Sequence, residues 1–144
     1  ENTIPDLCTI SIGVRFPSTE IKNEILDALE QAASHSTVPD TWAELDTSRL
    51  MECMDTTDGV MALFRHIQRT AVRCGMDEPG CFQVGGLSDS GITVACGIPT
   101  VCAMGVRGEG NHTPTEYAEV ESLFERCILA ACAAGSLEDG FTEQ

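Results

Sequence analysis

Three observations predict an α/β fold for this chain. Strict two-residue alternation in "LCTISIGVRF" leads directly into a stripe of apolar residues at helical spacing. Two further amphipathic helical patterns follow, and short apolar runs punctuated by glycine separate them. Strands that alternate with helices bury a sheet face beneath the helices, which is the arrangement of an α/β domain.

In the first of these, residues 7–16 read as a half-buried strand. Cys8, Ile10, Ile12, Val14 and Phe16 point inward, and Leu7, Thr9, Ser11, Gly13 and Arg15 point outward. "PSTEIKNEILDALEQAASH" then predicts a helix that starts at Pro17 and Ser18, with Ile21, Ile25, Leu26, Leu29 and Ala32 as its stripe. "SHSTVPD" is a loop, and "TWAELDT" a short candidate strand. The next helix carries Val60, Leu63, Phe64, Ile67 and Ala71 on one face and stops at the Gly75 and Pro79 signals.

"CFQVGGLSDSG" predicts a strand running into a glycine turn. "ITVACGIPTVCAMGV" gives a short helical or irregular apolar piece, a Gly-Ile-Pro turn and a buried strand over residues 100–106. The last helix has the fullest set of signals. Thr113 caps it, Pro114 takes the first helical position, and Glu116 completes a Thr-x-x-Glu capping box. Tyr117, Val120, Phe124, Cys127, Ile128 and Ala131 form its apolar face, and Gly135 ends it. A frayed acidic tail over residues 138–144 is expected.

A chain of 144 residues can bury one real core and is too short for two large ones. No apolar run approaches the roughly 18 residues that span a bilayer. With 8 basic against 23 acidic residues the formal charge is −15, which repels phosphate backbones and anionic lipid, so neither nucleic acid nor membrane is an expected partner. The eight cysteines make no CxxC and no zinc-finger spacing. They sit in apolar stretches and read as buried free thiols, which predicts a cytoplasmic protein. The first residues, "ENTIPDLCTISIGVRF", carry neither an initiator methionine nor a signal peptide, and a segment cut from a longer polypeptide is expected.

Few residues carry chemistry. His112 lies between a glycine-rich loop and the expected last helix, where an imidazole is either exposed punctuation or a metal ligand held at a rigid helix start. "VGGLSDSG" either cradles an anion on its backbone N–H groups or is an ordinary tight turn. It is not a phosphate loop, because GxxxxGK[ST] is absent. "GVRGEG" allows close approach by a ligand or merely lets the chain turn. Arg15, outward among small residues, has room to fork onto a carboxylate, or else it is solvated. His35 and His66 have no recognisable partner and are expected to be exposed. No GxSxG elbow supports a serine triad.

Taken together, "NTIPD...ISIGVRF", "GGLSDSGITVACGIPT" and "GVRGEGNHTPTEYAEVESLF" resemble the di-zinc metallopeptidase superfamily of carboxypeptidase G, aminoacylase and succinyl-diaminopimelate desuccinylase, in order and spacing from about Asn2 to Cys132. The resemblance implies part of a phosphorylase/hydrolase-like zinc-peptidase catalytic domain with part of a ferredoxin-like α+β dimerisation, or lid, domain. Residues 1–48 would be the C-terminal half of the lid, residues 49–137 the C-terminal segment of the catalytic domain, and residues 138–144 the tail. By the same resemblance His112 is a terminal zinc ligand, and Arg15 contacts the substrate carboxylate with Asn2 nearby. Gly86 and Ser88 line the substrate pocket, and Gly108 does so more weakly.

The superfamily's other zinc ligands and its general-base glutamate have no counterpart in this sequence. A catalytic zinc usually takes three protein ligands and an open position for water, and one imidazole does not assemble that site. The expectation is therefore a fragment of a zinc-dependent carboxypeptidase, dipeptidase or N-acyl amino acid deacylase, without catalytic residues of its own and inactive alone. Its partners would be a peptide or N-acyl amino acid substrate and a second copy paired through the lid. The alternative is a non-catalytic dimerisation or binding module, with "TISIGVRF" as a pairing edge.

Overall fold

The computed structural model describes residues 2–137. Four helices and one minimal hairpin make up its regular structure: α1 (Thr19–Ser34), α2 (Asp58–Arg73), α3 (Ser90–Ala95), β1 (Gly108–Glu109), β2 (Tyr117–Ala118) and α4 (Val120–Gly135). It is a helix-rich mixed chain, loosely compatible with an α/β class. No described helix is long and apolar enough to cross a membrane. The acidic tail expected over residues 138–144 lies outside the described residues.

Helices α1 and α2 begin where their caps dictate. The Ser18 hydroxyl accepts from the Ile21 N–H at 3.3 Å, and the Thr57 hydroxyl accepts from Val60 at 3.2 Å. Helix α2 stops at Cys74, and Gly75 follows with φ +76°, the left-handed turn that glycine makes without a Cβ penalty. Val60, Ile67 and Ala71 on its expected face are buried. Ile67 and Ala71 meet Leu129 and Ala133 of α4, with Leu63, Met76, Val101 and Met104 around them, to form the core. Burying Leu129, 1% exposed, contributes about 2 kcal/mol.

The expected strands over residues 7–16, "TWAELDT", 81–84 and 100–106 do not form. A strand is stable only when its N–H and C=O groups find a ladder partner and one face is covered. None of these segments finds either among the described residues, so Ile10 (77%), Ile12 (59%) and Phe82 (86%) remain exposed. Val101 and Met104 still pack against the core, without a ladder.

The last helix starts at Val120, later than expected. Gly108 pairs with Ala118 and Glu109 with Tyr117, and this ladder takes the residues that would have formed the first helical turns. The capping-box residues close the hairpin instead. The Thr113 hydroxyl donates to the Gly110 carbonyl at 2.6 Å, and Glu116 Oε2 accepts from the His112 N–H at 3.2 Å. The buried face of α4 is Ser122, Leu129 and Ala133, while Val120, Phe124 and Ile128, expected inward, are exposed. Large apolar side chains surround this helix, so periodicity does not choose a face; contact with α2 does.

A short irregular stretch, residues 51–55, ties α1 and α3 together. Lys22 Nζ reaches Glu52 at 2.6 Å, and the Asp55 carboxylate accepts from the Thr19 N–H at 2.9 Å. A Cβ on Gly91 would overlap the Glu52 carbonyl, so glycine is what allows α3 to lie against this stretch. The chain exposes 11718 Å², against roughly 7,200 Å² for a folded monomer of 15.4 kDa.

The cysteines are free, but six of the eight are exposed, and only Cys53 and Cys74 are half-buried. The apolar stretches that predicted buried thiols are themselves largely exposed, Cys127 and Cys132 on α4 included. His66 also departs from expectation. It is half-buried, and its Nε2 lies 3.0 Å from the Ala133 carbonyl, one of the acceptors that a helix end leaves unpaired. His35 is exposed as expected, with Nδ1 2.9 Å from the Gln31 carbonyl.

Candidate functional site

Arg15 leaves the extended stretch that precedes α1 and lies along the glycine turn 70 residues later. A Cβ on Gly85 would sit 3.7 Å from both Cδ and Nη1 of Arg15, in van der Waals contact. The Arg15 side chain therefore lies beside the backbone of the turn. A hydrogen bond fixes the two segments together, with Gln83 Nε2 donating to the Pro17 carbonyl at 2.7 Å. Arg15 is exposed, and the ion pairs among the described residues engage Lys22 and Arg107 rather than Arg15. Its planar fork is therefore available to an external carboxylate. Gly86, the next residue of the turn, has open space where a Cβ would stand.

Ser88 closes the turn. Its hydroxyl accepts from the Ser90 N–H at 3.2 Å and lies 3.0 Å from Ser90 Oγ and 3.1 Å from Cys102 Sγ. That contact, followed by one from Ser90, holds the Cys102 thiol below the ordinary cysteine range, because hydroxyl donors stabilise the thiolate. Sequence reasoning missed Cys102, since it lies 14 residues from Ser88 and no local spacing marks the pair.

His112 is not at a helix mouth. It occupies the tip of the β1–β2 hairpin with φ +64°, exposed, its backbone N–H held by Glu116. No hydrogen bond engages its ring among the described residues. Gly108 has a structural reason to be glycine, because a Cβ there would overlap the Tyr117 carbonyl across the ladder. Arg107, beside it, binds the hairpin to α4: its guanidinium donates to Glu125 at 2.6 Å and Glu119 at 3.1 Å, which raises its pKa further.

Arg15 and the Gly85–Gly86 turn are thus brought together, and Ser88 lies at the end of that turn. Asn2 is exposed and makes no hydrogen bond among the described residues. Those residues contain no group of three or more His, Cys, Asp or Glu side chains positioned to hold a metal ion. No protein-family model, curated protein or solved structure matches the chain.

Proposed function

We propose that this chain is the carboxylate-binding part of a zinc-dependent metallopeptidase or amidohydrolase that cleaves an amide bond next to a free carboxylate, and that it is inactive by itself. The observation that carries this reading is the Arg15 guanidinium lying along the Gly85–Gly86 turn without an acidic partner among the described residues. A forked cation beside an open backbone turn suits the terminal carboxylate of a peptide or an N-acyl amino acid. The fold behind the reading is a piece of a hydrolase-like catalytic domain joined to half of a ferredoxin-like lid.

The donor set does not fit a complete zinc centre. His112 offers one exposed imidazole, whereas a catalytic zinc takes three protein ligands. The remaining ligands and the general base would have to come from other polypeptide, and the large exposed apolar surface accords with such a companion. What this chain supplies is the grip on the carboxylate, which orients the scissile amide.

A second reading, a binding module that pairs with another copy, is favoured by one observation. Leu7, Ile10 and Ile12 lie exposed on a segment with no ladder partner among the described residues.

One titration tests the first reading: an N-acetyl amino acid added to the purified chain with zinc present, followed for binding and for hydrolysis. Binding without turnover is expected. Absence of binding contradicts the carboxylate site. Zinc-dependent turnover that disappears in His112→Ala contradicts the incomplete centre.

A further inference from the structure

We propose that the groove lined by Arg65, Arg69 and Arg73 on α2 is a binding site for a multivalent phosphate anion of the tripolyphosphate type. The groove has a volume of about 460 Å³, and Gln68, Val72 and Glu78 complete its lining. Its composition runs against that of the whole protein. The chain has only eight lysines and arginines at a net charge of −15, yet three of those eight stand in register on one helix face.

Like charges one turn apart destabilise a helix. Among the described residues, no ion pair engages these three arginines to relieve the repulsion at close range. Glu78 is the single carboxylate in the lining among the described residues, where three positive groups stand against one negative.

The walls are held in place. Gln68 Nε2 donates to the Pro79 carbonyl at 2.8 Å, which fixes the loop carrying Glu78 against α2. Arg73 Nη2 donates to Thr70 Oγ1 at 3.2 Å and to Ser136 Oγ at 3.5 Å, and so ties its guanidinium to the end of α4. Arg65 and Arg69 remain exposed.

Spacing and charge select the ligand class. Positions four apart on a helix are separated by about 6 Å along the axis, so the backbone positions of the three arginines span about 12 Å. A monoanion engages one of them. An oligophosphate presents oxygens to neighbouring forks at once, and phosphate oxygens match the bidentate geometry of arginine. Long polyanions such as nucleic acid would meet the strongly negative remainder of the protein, which favours a small ligand.

The test is calorimetric titration of the full 144-residue chain with sodium tripolyphosphate, free of divalent cations and at constant ionic strength. Saturable binding is expected, weakened about tenfold by Arg69→Gln. The charge-matched Arg49→Gln should change it by less than about twofold, because that charge is outside the groove and screened. Glutamine is a good helix former, and circular dichroism confirms that α2 persists in the variant. Absence of saturable binding overturns the site. So does equal weakening by the two variants, which would indicate bulk electrostatics. Tighter binding of a hexaglutamate peptide than of tripolyphosphate overturns the ligand class.

Discussion

The Lys22 ammonium, its side chain only 9% exposed on α1, meets the Glu52 carboxylate, 43% exposed, at 2.6 Å. The two partners are unequal, because removing Glu52 leaves a buried cation unpaired, whereas removing Lys22 leaves a carboxylate that water can solvate. Glu52→Gln should cost about 1–2 kcal/mol, a value reduced for the exposure of the glutamate, and Lys22→Met less than about 1 kcal/mol. Urea denaturation midpoints measure both. A larger loss for Lys22→Met would mean that the attraction outweighs the desolvation of the lysine.

Asp55 gives the fold a pH dependence of known sign. The Thr19 hydroxyl and then its backbone N–H, donating to the carboxylate, hold the Asp55 pKa below the usual aspartate range. A carboxyl group depressed in the folded state contributes stability that is fully present above its unfolded pKa, about 3.9, and is lost as pH falls through the lower folded value. Asp55→Asn should therefore lower stability near neutrality and have progressively less effect below about pH 4. Thermal melts of both proteins from pH 7 to pH 2.5 check this; a constant difference across that range would contradict it.

Cys102 should be the first thiol to react. It is exposed, and the Ser88 hydroxyl favours its thiolate, whereas burial followed by the charge of Asp55 pushes the Cys53 thiol up. Iodoacetamide at neutral pH, followed by peptide mass mapping, should label Cys102 well before Cys53. Ser88→Ala should slow the labelling of Cys102 by roughly two- to fivefold, since it removes the main donor to the thiolate. An unchanged rate would show that exposure alone controls the reaction.

Helices α1 and α2 were legible in the sequence because their signals are local: Ser18, the apolar stripe of α2 and Gly75 each act within a few residues of the element they define. The strands were not, because alternation describes a surface that needs a partner, and Ile10 and Phe82 find none among the described residues. The Thr113–Glu116 box misled for a related reason. The same hydroxyl and carboxylate that cap a helix also close the turn between Glu109 and Tyr117, and the ladder from Gly108 to Ala118 settles which they do. At the site, residue chemistry marked Arg15 and the glycine turn as candidates. Their adjacency across 70 residues, and the placement of Cys102 beside Ser88, arise only when the chain folds.

The most direct measurement concerns the Arg15 guanidinium, observed by NMR through the Gly85 and Gly86 amides. Titration with N-acetyl-alanine should shift both resonances, its C-terminal amide should bind about tenfold more weakly, and Arg15→Gln should abolish the difference between the two ligands. Equal binding of acid and amide by the wild-type chain, or an acid preference that survives Arg15→Gln, would contradict a carboxylate grip at this turn.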